Sequence, residues 1–597
     1  MYISRIVVRN FRNFSALDAA LSGNVVVVGE NRVGKSNLLY ALRLIFDPTL
    51  PDSSRQLSLS DFWDGLGDPS EDDKIVISVE IKEFEDDLDI LAILTEYRLD
   101  DDPDTVRLTY EFRPRADLVG DPGSDSDYDF ICFGGQSETK RFGHDVRRRI
   151  TMDLLPALRD AEGDLATWRR SPLKPLIENA FKDIDTAELQ DVSDAIDAAT
   201  EKIIEFDEVA ALEVNIGTLF AEMSGPKQDI KPRLGFNPSD ARRLYRNIKL
   251  LIDDGTRGIS DASLGSANMV FLSLKALELR HLIAENKRDH TLLAIEEPEA
   301  HLHPHLQRSV YRNLFEQVED DEGSQLSMIL TTHSPHIASV APLRSILLLK
   351  ATATQGTIGR STASVQLTDA DIDDLQRYLD VTRAEMLFAR GVILVEGDAE
   401  KFLVPEFASE MDRSLDRLGI TVCSVAGTNF LPYAKILGAL AIPFSVITDW
   451  DPQKDSDPLG INRAIKLVGQ VEKSRTGTQP TALIAELEAI EDYDDFGTRC
   501  EAFGIFLNND TLEIDLFSGD LISPILETLR EGRFGPARVA LINAWMANPK
   551  TMDPVSYLSM IEDIGKGRFA QRLATRIEDI EVPKYIRDAI AFVVSRV

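Results

Sequence analysis

Gly29-Glu30-Asn31-Arg32-Val33-Gly34-Lys35-Ser36 has the pattern G-x-x-x-x-G-K-S, and its reading decides the first half of the fold. Before it stands Asn24-Val25-Val26-Val27-Val28, a β-branched run with the composition of a buried strand. After it, Asn37 to Phe46 carries the apolar spacing of a helix. In a strand–loop–helix context the glycines let backbone N–H groups wrap a phosphate, and the helix N-terminus favours the anion. Gly29, Asn31, Gly34, Lys35, Ser36 and Asn37 are therefore the candidate nucleotide contacts. Lys35 reaches the β- and γ-phosphates of ATP, and Ser36 holds its Mg²⁺.

Outward from this loop, residues 2–9 alternate as a strand, and Asn10-Phe11-Arg12-Asn13-Phe14 reads as a turn. Residues 74–82 and 105–113 alternate strongly and predict antiparallel strands, with Asp-rich loops between them and again at 117–129. From about 145 to 250 the pattern turns helical, with Val192, Ala195, Ile196, Ala199, Ile203 and Ile204 at helical spacing. Because an α/β pattern resumes afterwards, this block reads as an inserted helical subdomain with a role in dimerisation. Leu292 to Ile295 and Met328 to Leu330 are apolar strands that end in polar residues, Glu296-Glu297-Pro298-Glu299 and Thr331-Thr332-His333-Ser334. That end of a strand is where α/β sheets place their chemistry. Glu296 is assigned to the Mg²⁺ shell, Glu297 to the attacking water, and His333 to the γ-phosphate or that water.

This set resembles the ATP-binding-cassette ATPases of the RecF- and SMC-like branch, over about residues 1–350. The resemblance places Ser263-Leu264-Gly265-Ser266 at the signature loop, with Ser263 and Gly265 as nucleotide contacts. It places Glu299-Ala300-His301-Leu302 at the D-loop and His333 at the switch histidine. Heads of that kind sandwich ATP between two copies, so the resemblance implies a homodimer. No glutamine fits the Q-loop.

The second half carries a different pattern. Gly391 to Val395 is a buried-strand run ending at Glu396, and Glu400 lies one helical turn on. Phe444 to Thr448 is another, ending in Asp449-Trp450-Asp451. In extended chain, residues two apart point the same way, so Asp449 and Asp451 face one cation together. D-x-D alone means little in so acidic a chain, since Asp102/Asp104, Asp125/Asp127, Asp127/Asp129, Asp183/Asp185 and Asp455/Asp457 also match it; only Asp449/Asp451 follows directly on a buried strand. Carboxylates of this kind suit two Mg²⁺ or Mn²⁺ ions rather than zinc. Such a pair stabilises the attacking and the leaving oxygen of a phosphodiester.

Glu396 with Asp449/Asp451 resembles the Toprim fold. An ATPase head followed by Toprim in one chain of this size resembles the OLD (overcoming lysogenization defect) endonucleases, among them the GajA subunit of Gabija antiphage systems. This resemblance covers essentially the full length. It implies further metal ligands in Glu513 and Thr511, with support from Asp398 and Asp515, and it places Lys566, in Gly565-Lys566-Gly567-Arg568-Phe569, on the pentavalent phosphate.

Composition bounds the rest. The formal charge of −35 opposes a DNA partner unless metal ions reverse the sign locally or basic residues segregate. Two clusters are candidates for such a face: Lys140-Arg141 with Arg147-Arg148-Arg149, and Arg242-Arg243 with Arg246 and Lys249. The run Gly438 to Ile447 is far short of the roughly 20 residues of a membrane span. Three scattered cysteines, Cys132, Cys423 and Cys500, fit a reducing cytoplasm and exclude a disulfide framework.

The expected fold is α/β. An ABC-type ATPase (1–150 and 256–350) is interrupted by a helical insertion (151–255) and followed by a linker (351–385) and a Toprim domain (386–597). The expected function is that of an ATP-binding, metal-dependent DNA endonuclease or nickase in phage defence. It acts as a homodimer or larger assembly, with a helicase-like or reverse-transcriptase partner protein and no membrane. The alternative is an ATP-gated DNA clamp that does not cut.

Overall fold

In the computed structural model the valine run becomes β3 (Val25–Gly29), every residue of which is buried. The structure describes all 597 residues except 119, 158, 159, 183, 225–230, 235–244, 247, 301, 320–324, 353, 379 and 455. The described chain divides into two compact units, Met1–Ala157 with His290–Val597, and Leu158–Asp289.

Along the first part of the chain run β1 (Tyr2–Phe11), β2 (Phe14–Ala20), β3, β4 (Ile75–Lys82), β5 (Val106–Pro114), β6 (Tyr128–Gly134) and β7 (Ile150–Leu155). The second unit contributes the short ribbon β8 (Leu251–Ile252) and β9 (Arg257–Gly258). After it come β10 (His290–Glu296), β11 (Leu326–Thr331), β12 (Ile346–Thr352) and β13 (Gly356–Ser361). Eleven strands form one sheet in the order β6-β5-β4-β1-β2-β13-β12-β3-β11-β10-β7. From β12 to β7 the pairs are parallel. From β6 to β12 they are antiparallel. β3 is therefore central to the parallel half, flanked by β11 and β12, and its loop opens at the carboxyl edge.

Three elements differ from the sequence reading. β6 begins at the end of a stretch read as loop and runs on through residues given no element, and β7 lies in a stretch read as helix. β7 pairs parallel with β10, and the charged run Arg147-Arg148-Arg149 just before it masks a six-residue strand. The stretch read as a linker, 351–385, contains β13, which closes the sheet between β2 and β12, and the helix Asp369–Tyr378. Its Gly- and Thr-rich composition hides the pairing, because β13 relies on backbone bonds to β12 more than on apolar side chains.

A second sheet, β14 (Gly391–Val395), β15 (Ile420–Ser424), β16 (Phe444–Thr448) and β17 (Ile505–Leu507), is fully parallel in the order β15-β14-β16-β17. β14 is buried throughout, as expected of a strand covered on both faces. The helices of residues 512–594 close one face around Trp545, Tyr557 and Phe407, each at most 1% exposed.

The second unit is helical. Helices Thr186–Ile204 and Asp207–Ser224, with the turn between them, leave Val192, Ile196, Ile203, Phe206, Leu212, Val214 and Leu219 exposed. The signature-loop stretch belongs to this unit too: Ser263 caps the helix Leu264–Ala284, its Oγ accepting from Ser266 N. Arg242 and Arg243 lie outside the described residues. Arg147 is not part of a basic face. It is 6% exposed, donates Nε to the Ile45 carbonyl at 3.0 Å, and reaches Cys132 Sγ. All three cysteines are buried and free.

His290, at the start of β10, is fully enclosed; its Nε2 meets Ser327 Oγ at 2.9 Å and its Nδ1 has no partner among the described residues. Burial, then the nearby N-terminal ammonium, pushes its pKa down to about 3, with Asp87 opposing. The unfolded chain takes up this proton near pH 6.5, so stability is complete above that pH and declines as pH falls from about 6.5 towards 3. Between pH 7.5 and 5.5 the loss is about 1.4 kcal/mol from this group. His290→Gln is expected to remove that share of the pH dependence, read as the difference in urea midpoints at the two pH values.

Candidate functional site

The nucleotide loop is built by glycine where no other residue fits. Gly34 has φ +93, and a Cβ there would lie 2.1 Å from Asn13 Nδ2. Gly29 packs so that a Cβ would lie 2.5 Å from the Leu349 carbonyl. Lys35 is buried and donates to the carbonyls of Gly29 at 3.0 Å and Glu30 at 2.9 Å. Burial pushes its pKa down to about 8, with Glu297 and Glu299 opposing. Ser36 lies exposed at the head of its helix.

β10 ends at Glu296, and Glu297 follows with φ +41, its amide donating to the Thr331 carbonyl. His333 Nε2 lies 3.7 Å from Glu297 Oε1. Burial and then Lys35 hold its imidazole below the usual histidine range, against Glu297. The structure therefore gathers Lys35, Glu297 and His333 at one edge. Glu299 pins the loop after β11, accepting from His333 N at 2.7 Å and Thr332 Oγ1 at 2.9 Å; burial raises its pKa. His301, of the same stretch, lies outside the described residues. Ser263 and Gly265 belong to the other compact unit.

The turn at 10–14 contributes more than its sequence reading. Arg12 has φ +49, and its guanidinium lies 4.6 Å from the centre of the Tyr40 ring while NH1 donates to Asn37 Oδ1. Asn37 Nδ2 in turn donates to Asn13 Oδ1, tying this turn to the loop. On the loop's other side, Arg390 forms a two-point ion pair with Glu30, at 2.6 and 3.2 Å. Arg390 immediately precedes β14.

At the carboxyl ends of β14 and β16 the acids gather. Glu396 Oε1 accepts from Thr448 Oγ1 at 2.5 Å, Asp449 N at 2.9 Å and Arg463 NH1 at 2.8 Å. Asp449 Oδ1 accepts from Asn508 Nδ2 at 2.5 Å and Leu512 N at 3.0 Å. Asp451 Oδ2 accepts from Arg463 NH2 at 2.7 Å. Glu400 is buried and accepts from Gly397 N at 3.2 Å. Burial, then Glu396 and further acids, pushes Asp449 up to about 8. Burial, then Glu396 and Glu513, pushes Glu400 up to about 7.

Lys566 heads the helix Lys566–Ala574 rather than a loop, and its Nζ lies 3.0 Å from Glu513 Oε1. Burial alone would lower its pKa; Glu513, with Asp449 and Glu400, outweighs burial and raises it. A Cβ at Gly567 would lie 3.3 Å from that of Asp398, so this helix can approach the helix Asp398–Glu410 closely. Asp398 itself is exposed, and Asp515 holds the preceding loop through Asn509 N at 2.6 Å.

Two expectations need correction. The pair Asp449/Asp451 is not in extended chain: β16 ends at Thr448 and Asp451 has φ +52, so strand alternation does not align the two acids. The acids also do not form a finished cage. Among the described residues, no three acidic, histidine or cysteine groups are arranged to hold one ion together. Arg463 lies between Glu396 and Asp451, and Lys566 sits on Glu513. The chemistry of the donors still suits a hard divalent cation. They are all hard oxygens, burial first and the neighbouring acids second raise the pKa values of Asp449 and Glu400, and Thr511 Oγ1 is buried with no hydrogen-bond partner among the described residues.

Arg463 and Asn508 carry this site and were not singled out from the sequence. Asn508 follows β17 directly, the same position after a buried strand that marks Glu396 and Asp449. Trp450 N donates to Asn508 Oδ1 at 2.8 Å, and the Trp450 ring meets Tyr493 edge-on at 4.4 Å, fixing the turn between the two aspartates.

Comparison with known proteins places both halves. The family described as "AAA ATPase domain" matches residues 1–141 and 148–338. That described as "Overcoming lysogenization defect protein-like, TOPRIM domain" matches 387–451. Endonuclease GajA of Bacillus cereus (strain VD045) is 23% identical over 487 residues, 79% of each chain. OLD nuclease of Thermus scotoductus is 23% identical over 460 residues, 75% of this chain and 82% of its own. The solved C-terminal region of the Burkholderia pseudomallei OLD protein is 39% identical, covering 35% of this chain and 98% of that one, with a TM-score of 0.30.

Replacing Lys35 with Ala is expected to weaken nucleotide binding by roughly 30- to 150-fold, the worth of about 2–3 kcal/mol for a hydrogen-bonded charge. A titration with a fluorescent ATP analogue measures it. With the ATPase match spanning more than half its length and the second match ending on the Asp449/Asp451 turn, the chain belongs to the AAA ATPase domain family and carries an OLD-like Toprim domain in its second half.

Proposed function

We propose that this protein is an ATP-binding, divalent-metal-dependent DNA endonuclease or nickase that serves in antiphage defence in the cytoplasm. The observation that carries this reading is the gathering of Glu396, Glu400, Asp449, Asp451 and Glu513 around buried strand ends, where burial first and neighbouring acids second disfavour the charged forms of Glu400 and Asp449. Relatives named as an endonuclease and a nuclease support it, as they align over most of both lengths.

In this reading the five carboxylates, with Thr511, hold two Mg²⁺ or Mn²⁺ ions. When bound, these ions supply water activation and leaving-oxygen stabilisation for in-line hydrolysis of a phosphodiester. Lys566 supplies a fixed cation for charge developing on the phosphate. Glu513 keeps its ammonium in place at 3.0 Å. Divalent ions also let a chain of net charge −35 accept DNA at this edge.

The nucleotide site divides its roles among Lys35 and Ser36 on the phosphates and Mg²⁺, Glu296 beside the ion, and Glu297 with His333 at the attacking water. A homodimer brings Ser263 and Gly265 of one copy to the nucleotide of the other. The exposed apolar residues of the helical unit suit an interface between copies. A larger assembly, and a helicase-like or reverse-transcriptase partner protein, belong to the same reading. Among the described residues no helix is long and apolar enough to cross a membrane.

The test is nicking of supercoiled plasmid by the full chain in Mg²⁺, Mn²⁺ or Ca²⁺. The wild type is expected to nick, EDTA to stop it, and Glu396→Ala to lower the rate by on the order of 100-fold or more. Nicking that survives in Glu396→Ala removes the site assignment. Absence of nicking in every metal leaves the ATP-gated clamp.

A further inference from the structure

Arg463 lies on the helix Leu459–Thr476, with its side chain only 12% exposed. Its guanidinium spans both strand ends. NH1 donates to Glu396 Oε1 at 2.8 Å, to the Asp449 carbonyl at 3.1 Å and to Thr448 Oγ1, while NH2 donates to Asp451 Oδ2 at 2.7 Å. Two carboxylates and a hydroxyl from separate segments are thus held by one planar fork.

The pattern of occupied oxygens shows what this fork does. Glu396 is engaged through Oε1, Asp449 through Oδ1 and Asp451 through Oδ2. No hydrogen bond reaches the other oxygen of any of the three among the described residues. Each acid is therefore anchored on one side by protein donors. For Asp449 the anchors are Asn508 and a backbone amide. For Asp451, whose backbone has left the strand at φ +52, Arg463 is the side-chain anchor. A phosphate clamp would expose its N–H groups, whereas NH1 and NH2 of Arg463 donate to protein acceptors.

We propose that Arg463 is a positioning residue for the divalent-ion site: it fixes one oxygen each of Glu396 and Asp451 so that the opposite oxygens are presented to the ion. This rests on the metal-dependent reading above. It assigns to Arg463 a part in ion affinity rather than in DNA contact or in the chemical step.

Equilibrium Mn²⁺ binding to the full-length wild type, Arg463→Met and Arg463→Lys, followed by the EPR signal of free Mn²⁺, tests it. Arg463→Met is expected to bind about 10- to 100-fold more weakly, the usual cost of losing a group that orients metal ligands. The Mg²⁺ concentration for half-maximal nicking is expected to rise by the same factor, with the plateau rate largely recovered. Arg463→Lys, which keeps the charge but loses the fork, is expected to fall between the two. Unchanged affinity of the fluorescent ATP analogue shows that the variants are folded; should Arg463→Met fail this control, Arg463→Lys decides. Mn²⁺ affinity within about twofold of wild type, or tighter, in the deciding variant overturns the proposal, because the loss expected of an orienting group is at least about tenfold. If the wild type binds Mn²⁺ and Arg463→Met matches it, only this inference falls. If the wild type binds no Mn²⁺ at all, the nuclease reading falls with it.

Discussion

Like charges brought together away from water are the constraint on which the second half of this molecule depends. Glu396, Glu400, Asp449, Asp451 and Glu513 come from separate segments, and burial withdraws much of the solvent that would keep them apart. The protein answers with fixed donors on one oxygen of several of them: Arg463, Asn508, the amides of Asp449 and Leu512, and Lys566 on Glu513. Such an arrangement costs stability in isolation, because each anchored acid still repels its neighbours. A site of this kind makes sense where a further positive charge is to be received.

The two halves apply one architectural rule twice. A buried parallel strand needs no polar residue until it reaches its carboxyl end, so the first polar residue there faces the edge of the sheet. In the large sheet this produces the nucleotide loop after β3, Glu296 at the end of β10 and Thr332-His333 after β11. In the small one it produces Glu396, Asp449 and Asn508 after β14, β16 and β17. The order of strands in each sheet makes those ends neighbours, which sequence separation conceals.

This rule also explains what could be read from residues alone. The loop of residues 29–36, the acid pairs at 296–297 and 449–451, and Glu396 each follow an apolar run, and the run supplies the signal. Arg463 gives no such signal. It is one basic residue among 65 lysines and arginines, on a helix that would look the same if it faced water. Arg12 and Asn13 were legible as a turn only, since their contacts to Tyr40 and Asn37 arise from the close approach of β1 and β2 to the loop. β13 was missed because its partners, not its composition, make it a strand. The aspartate pair was found for a reason the structure replaces: a turn, not strand alternation, places the two acids, and a guanidinium ties Asp451 to Glu396.

The bidentate contact between Glu30 and Arg390 narrows what a motif's wildcard positions tolerate. Residue 30 is one of the letters that the phosphate-loop pattern leaves blank, yet here its carboxylate grips the residue just before β14, the strand that leads to Glu396. As a half-exposed ion pair it adds little to stability, about 0–1 kcal/mol. Its weight falls instead on heritable variation. A chain that drifts at position 30 keeps an intact nucleotide signature while losing this contact to the residue that precedes β14.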